Sequence, residues 1–154
     1  MHAKYELLRN VTSENPFRTI YFCWLDIGLF RDISSGGNIS NPTKGTGPKF
    51  SLYLPLGFQN DSIAYNQVNE RDRNMNIDTV VRTDTWWING GFFIGDDGAM
   101  HRWTTEYLAG VEKMLDWNPI STDQQVIYFI FNELNRRLEF KHTLELVATM
   151  NGFT

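Results

Sequence analysis

Thr85-Trp86-Trp87-Ile88-Asn89-Gly90-Gly91-Phe92-Phe93-Ile94-Gly95-Asp96 is the stretch on which the reading of this chain turns. An apolar, aromatic run is interrupted by Asn-Gly-Gly, resumes as Phe-Phe-Ile and stops at Gly-Asp-Asp-Gly before a long amphipathic segment. Strand interiors normally exclude paired glycines, because Gly packs no side chain and loses the most backbone entropy on folding. Two meanings are open. The pair marks a β-bulge or tight turn, or a place where something approaches the backbone closely.

Downstream, Met100, Trp103, Tyr107, Leu108, Val111, Met114 and Leu115 recur at helical spacing, which predicts an amphipathic helix. Ser121-x-x-Gln124 has the spacing of a capping box, and Val126, Ile127, Ile130, Phe131 and Leu134 mark the buried face of a second helix. The tail from Leu138 onward reads as a strand followed by a short apolar segment.

Upstream, residues 3–14 read as a short helix with Leu7, Leu8 and Val11 on one side, ended by Asn15-Pro16. Residues 19–25 are an apolar, β-branched and aromatic run of a length suited to a strand buried on both faces. That run predicts Cys23 as a small buried residue and stops abruptly at Asp26-Ile27-Gly28. Residues 32–49 form a Gly-rich polar connection, a length usually functional or disordered, and the least ordered internal segment expected here. Phe50–Leu56 and Ser62–Val68 read as short strands, and 69–78 as a hydrophilic loop. Strands alternating with helices argue for a three-layer α/β sheet domain.

The bulk properties narrow the partners. With 154 residues the chain fits one domain with a sizeable core. A net charge of −4 with scattered basic residues gives no footprint for nucleic acid. One cysteine excludes a disulfide framework and a multi-cysteine zinc site. No run approaches the ~18 apolar residues of a membrane span. The N-terminus lacks the layout of a signal peptide, which leaves the cytoplasm as the default compartment.

Three carboxylate positions carry chemistry. Asp26 stands at the carboxyl end of the most strand-like segment, where ligands sit in open α/β sheets. A carboxylate there suits a divalent cation held against a phosphate, or equally a turn capping a backbone amide. Asp123 opens a predicted helix, either as a dipole-complementing cap or as a carboxylate aimed into a cleft. Asp96-Asp97 has the same two meanings at the start of its helix.

Lys4-Tyr5-Glu6-Leu7-Leu8, Phe22-Cys23-Trp24-Leu25-Asp26-Ile27-Gly28-Leu29-Phe30-Arg31, Trp87 to Gly95 and Asp123-Gln124-Gln125, in that order, resemble the HtrL/YibB family. That family looks like nucleotide-sugar glycosyltransferases of the GT-A type. The resemblance implies a GT-A-like α/β three-layer sheet domain that transfers a sugar from a nucleoside diphosphate donor to a hydroxyl of a carbohydrate or protein acceptor. It implies Asp26 as a ligand for Mn2+ or Mg2+, with Gly28 standing where such enzymes carry a second carboxylate. It makes Asn89, Gly90, Gly91 and Gln124 contacts of the donor sugar, and Asp123 the residue that orients the sugar or acts near the reacting centre. Only residues 1–21 precede the Phe22–Asp26 motif, too few for the nucleotide-binding unit that opens a GT-A domain. The expectation is therefore a C-terminal GT-A-like portion that binds sugar nucleotides weakly or not at all. The rival reading is a non-catalytic remnant that binds a carbohydrate or protein. Burial of Trp86, Trp87 and Trp103 favours a packed core, and their exposure on one face favours binding.

Overall fold

A computed structural model describes residues 2–26, 54, 58–67, 75–83, 87–116, 122–137 and 143–148, the last stretch, Asn66 and residues 132–137 by backbone alone. The 32–49 connection, Gly28, Trp86 and most of Phe50–Leu56 lie outside the described residues. The elements in chain order are α1 (Ala3–Glu14), β1 (Tyr21–Leu25), β2 (Ser62–Gln67), α2 (Ile77–Thr83), β3 (Ile88–Asp96), α3 (Asp97–Leu115), α4 (Asp123–Arg137) and β4 (Thr143–Ala148). Together they make a mixed α/β domain.

The sheet order is β1-β3-β2-β4. β3 is antiparallel to both neighbours, and β4 is parallel to β2. It follows that β1, β2 and β4 run in one direction and β3 alone runs against them. The strand ending at Asp26 is therefore the outermost on its side of the described sheet, not a central one. Nor is it buried on both faces: Phe22 is buried, Trp24 and Leu25 are half-buried, and Cys23 is exposed. Cys23 shares a register pair with Ile94, on the side of β1 away from Phe22 and Trp24, which explains how an apolar run can still present one open position.

Asn-Gly-Gly is a bulge. β1 pairs regularly along β3 from Tyr21↔Asp96 to Leu25↔Phe92, and the Asp26 amide donates to the Gly91 carbonyl at 2.8 Å. On the other side, Tyr65 pairs with Phe93 but its neighbour Asn66 pairs with Asn89. Gly90, Gly91 and Phe92 thus have no partner in β2, and the strand bends there.

The core lies between the sheet and the helices. Tyr5 of α1 stacks on Phe93 of β3 at 5.5 Å and on Tyr107 of α3 at 3.4 Å. Tyr65 of β2 meets the edge of Trp103 of α3 and accepts its indole N–H at 2.9 Å. Trp87 and Trp103 are both fully buried, on the packed-core side of the comparison drawn from the sequence; Trp86 lies outside the described residues. The buried stripe of α1 is Lys4, Tyr5, Leu8 and Thr12, whereas Leu7 and Val11 are exposed. The aromatic wall of Phe93 and Tyr107 draws in Tyr5, and of the apolar residues read on one side of the helix Leu8 is the one that is buried.

The helix starts follow their caps. Asp96 accepts the Ala99 amide at 2.7 Å and, through its other oxygen, the Asp61 amide at 2.6 Å, so at this end capping is what the acidic pair does. The capping box of α4 sits one residue later than its spacing suggested: Thr122 and Gln125 exchange amide-to-side-chain bonds at 3.4 Å each way. Gln125 also reaches the Val81 carbonyl in α2, a short helix that starts inside the segment read as a loop.

Candidate functional site

The site is organised by the Gly90-Gly91 bulge, and each glycine faces a different carboxylate. A Cβ on Gly91 would stand 3.6 Å from Asp26 Oδ2 and 3.0 Å from Asn89 Oδ1. A Cβ on Gly90 would stand 2.5 Å from Asp123 Oδ2 and 3.1 Å from its Cγ. Asp26, Asn89 and Asp123, spread across the chain, therefore converge on two adjacent residues. The backbone is approached closely, as the paired glycines implied, and the approaching groups belong to the chain itself.

The environments of the two carboxylates differ. Asp26, just past the end of β1, is half-buried; Oδ1 accepts the Trp24 indole N–H at 2.8 Å and Oδ2 lies over Gly91. Asn89 is half-buried as well, and its Oδ1 accepts the Gly91 amide at 2.8 Å, which closes the bulge on itself. Asp123 is only 4% exposed and forms a buried ion pair with Lys4 of α1. Gln124, its half-buried neighbour, starts the same helix turn, while Gln125 is the glutamine that turns inward.

Lys4 is the residue that sequence reasoning missed. Its side chain is 6% exposed, pairs with Asp123 and donates to the Gly90 carbonyl at 2.7 Å. Its ammonium also lies 5.3 Å from the Tyr5 ring centroid and 5.9 Å from that of Phe93. A signal existed: Lys4 stands four residues before Leu8 and next to Tyr5, on the stripe a helix buries.

Below this cluster lies a set of phenols. Tyr5 and Tyr65 hydroxyls are 3.3 Å apart, and Tyr107 meets His2 Nδ1 at 2.7 Å. Burial pushes all three phenols well above their usual range, and the Asp123 charge pushes the same way. Burial and the nearby amino terminus hold the His2 imidazole low. Raised phenols and a lowered imidazole are neutral at ordinary pH, and here they bond one another within and beside the core.

As a cation site, the donor set is narrow. Among the described residues no three His, Cys, Asp or Glu side chains cluster. Asp123 already has Lys4 as counter-charge, which leaves the half-buried Asp26 as the carboxylate of this group without a cationic partner among the described residues. Magnesium and manganese are commonly held by one or two carboxylates plus phosphate oxygens, so Asp26 fits such an ion only when a phosphate shares it. No helix among the described residues is long and apolar enough to cross a membrane.

Comparison of the chain with protein-family models, with curated proteins and with solved structures gives no match.

Proposed function

We propose that this chain is a GT-A-like domain of the HtrL/YibB type that binds a sugar nucleotide across the Gly90-Gly91 bulge. The observation that carries the reading is the convergence of Asp26, Asn89 and Asp123 on those two glycines. Its setting supports it: Asp26 stands just past the carboxyl end of β1, where its amide is bonded to the Gly91 carbonyl of the bulge.

In this reading the diphosphate lies at Asp26 and the donor sugar against Asn89, Gly90 and Gly91, with Gln124 at its margin. Asp26 would be the protein ligand for a Mg2+ or Mn2+ ion, and such an ion would supply charge neutralisation for the leaving diphosphate. Transfer breaks the bond from the anomeric carbon to the diphosphate oxygen and forms one to the hydroxyl oxygen of a carbohydrate or protein acceptor, whose proton is released. Asn89 offers its amide N–H group to the sugar while its oxygen stays tied to Gly91. Asp123, buried against Lys4, acts from beneath the bulge and fixes where the sugar rests.

Ligand-observed NMR with UDP, UDP-glucose and UDP-N-acetylglucosamine, each with and without manganese, tests this. The expected result is weak binding, on the order of 1 mM, because one carboxylate faces the diphosphate. Asp26→Ala and Asn89→Ala should each remove the signal while leaving the thermal transition in place. A panel with no signal from the unmodified chain would overturn the sugar-nucleotide reading in favour of the non-catalytic one.

A further inference from the structure

We infer that Lys4 is a positioning residue of the ligand-binding bulge: from α1 it holds the Asn89-Gly90-Gly91 backbone in place without touching the ligand. The role as a ligand-site device rests on the sugar-nucleotide reading above; the effect on the bulge does not.

The backbone pattern creates the need that Lys4 fills. Along β3 the Gly91 carbonyl points toward β1 and accepts the Asp26 amide. In a regular antiparallel ladder the Gly90 carbonyl, one residue earlier, would face β2 and take its donor there. The bulge removes that donor, since Gly90 to Phe92 are skipped by β2. A buried carbonyl without a donor is costly, so a replacement is required. Lys4 Nζ supplies it at 2.7 Å.

The same ammonium fixes the second boundary of the bulge. Its partner Asp123 packs directly on Gly90, leaving no room for a Cβ. Lys4 therefore ties three elements at one point: α1, the β3 bulge and the first turn of α4. Its side chain is almost fully covered, so it is not placed to meet a ligand. The half-buried groups that remain for contact, Asp26 and Asn89, are hydrogen-bonded to or lie over Gly91, and their geometry follows the bulge.

The test compares the unmodified chain with Lys4→Met, which keeps the length and removes donor and charge. Lys4→Met/Asp123→Asn leaves no unpaired buried carboxylate should the single variant fail to fold. Amide hydrogen exchange is read at Asp26 and Gly91, with Ile63 and Ala64 in β2 as internal references. In either variant the two bulge amides should exchange about tenfold faster relative to the references, the usual worth of a charge-assisted hydrogen bond. UDP-glucose saturation-transfer signals should vanish in parallel. A uniform change across bulge and β2 amides, or none, would overturn the inference and leave Lys4 a general packing residue. If the unmodified chain gives no UDP-glucose signal, the sugar-nucleotide reading fails, and the exchange ratio alone decides whether Lys4 sets the bulge.

Discussion

Gly90 shows how one missing side chain organises the candidate site. The paired glycines were legible in the sequence as a place of close approach, but not which groups approach. An alanine at 90 would put its Cβ 2.5 Å from a buried carboxylate oxygen that is itself held by Lys4. Gly90→Ala should therefore cost about 1–3 kcal/mol, as other overpacking changes do. Gly98 in the first turn of α3 is the control, since the nearest atom to its Cβ is the flexible end of Arg102 at 3.1 Å. Gly98→Ala should be neutral or stabilising by about 0.5–1 kcal/mol through the unfolded chain. Urea midpoints for the two variants decide this, and equal shifts would contradict the tight fit at Gly90. For Lys4 the sequence showed its place beside Tyr5 and four residues before Leu8, but not its role. A lysine in the first turn of a short helix is ordinarily solvated, and only the bulged strand and Asp123 give it a buried role.

At the scale of elements, helical periodicity located α3 and α4, but Leu115 at the end of the α3 stripe is exposed and α4 buries every residue from Val126 to Ile130, Tyr128 and Phe129 included, because other elements pack around its first turns. Their mutual approach depends on Gly110, where a Cβ would lie 2.9 Å from both Cδ1 and Cγ1 of Ile130 and 3.4 Å from Val126. Gly110→Val should cost about 1–3 kcal/mol by forcing the helices apart. Ile130→Ala should cost about 2–5 kcal/mol by leaving a cavity. Because the added methyls enter the space that Ile130 vacates, the double variant should lose less than the sum, by about 0.5–3 kcal/mol. Strict additivity in chemical denaturation would show that the two positions do not meet. In α1 the apolar spacing showed Leu8 but not Tyr5 and Lys4, whose partners on β3, α3 and α4 lie far away in sequence.

For the whole molecule, the buried phenols couple stability to pH. Tyr5, Tyr65 and Tyr107 are held protonated above the ordinary value of 10 in the folded state. Unfolding releases them from burial, so above pH 10 the unfolded chain binds fewer protons and is favoured. Stability should be unaffected by these groups below that pH. Above it, stability should fall by about 1.4 kcal/mol per pH unit for each phenol still protonated in the fold. Tyr107→Phe, which removes one of the three, should make the alkaline decline shallower by about a third. Urea midpoints followed from about pH 8 to about pH 11 check this; a flat profile across that range would mean the phenols are not held as the packing implies.

By itself the sequence determined the amphipathic helices, most of the strands, the α/β class and the Asn-Gly-Gly break, because each is written in local spacing and backbone chemistry. The tertiary structure decided the rest. It placed β1 outermost among the described strands and β3 antiparallel between β1 and β2, since strand order depends on which apolar faces meet. It packed Tyr5 of α1 on the aromatic wall and left Cys23 on an open position. It also brought Lys4, Gly90 and Asp123 to one buried point. Pairing of that kind arises from desolvation, where a buried charge must find its counter-charge wherever the chain brings one, and local sequence carries no record of the partner.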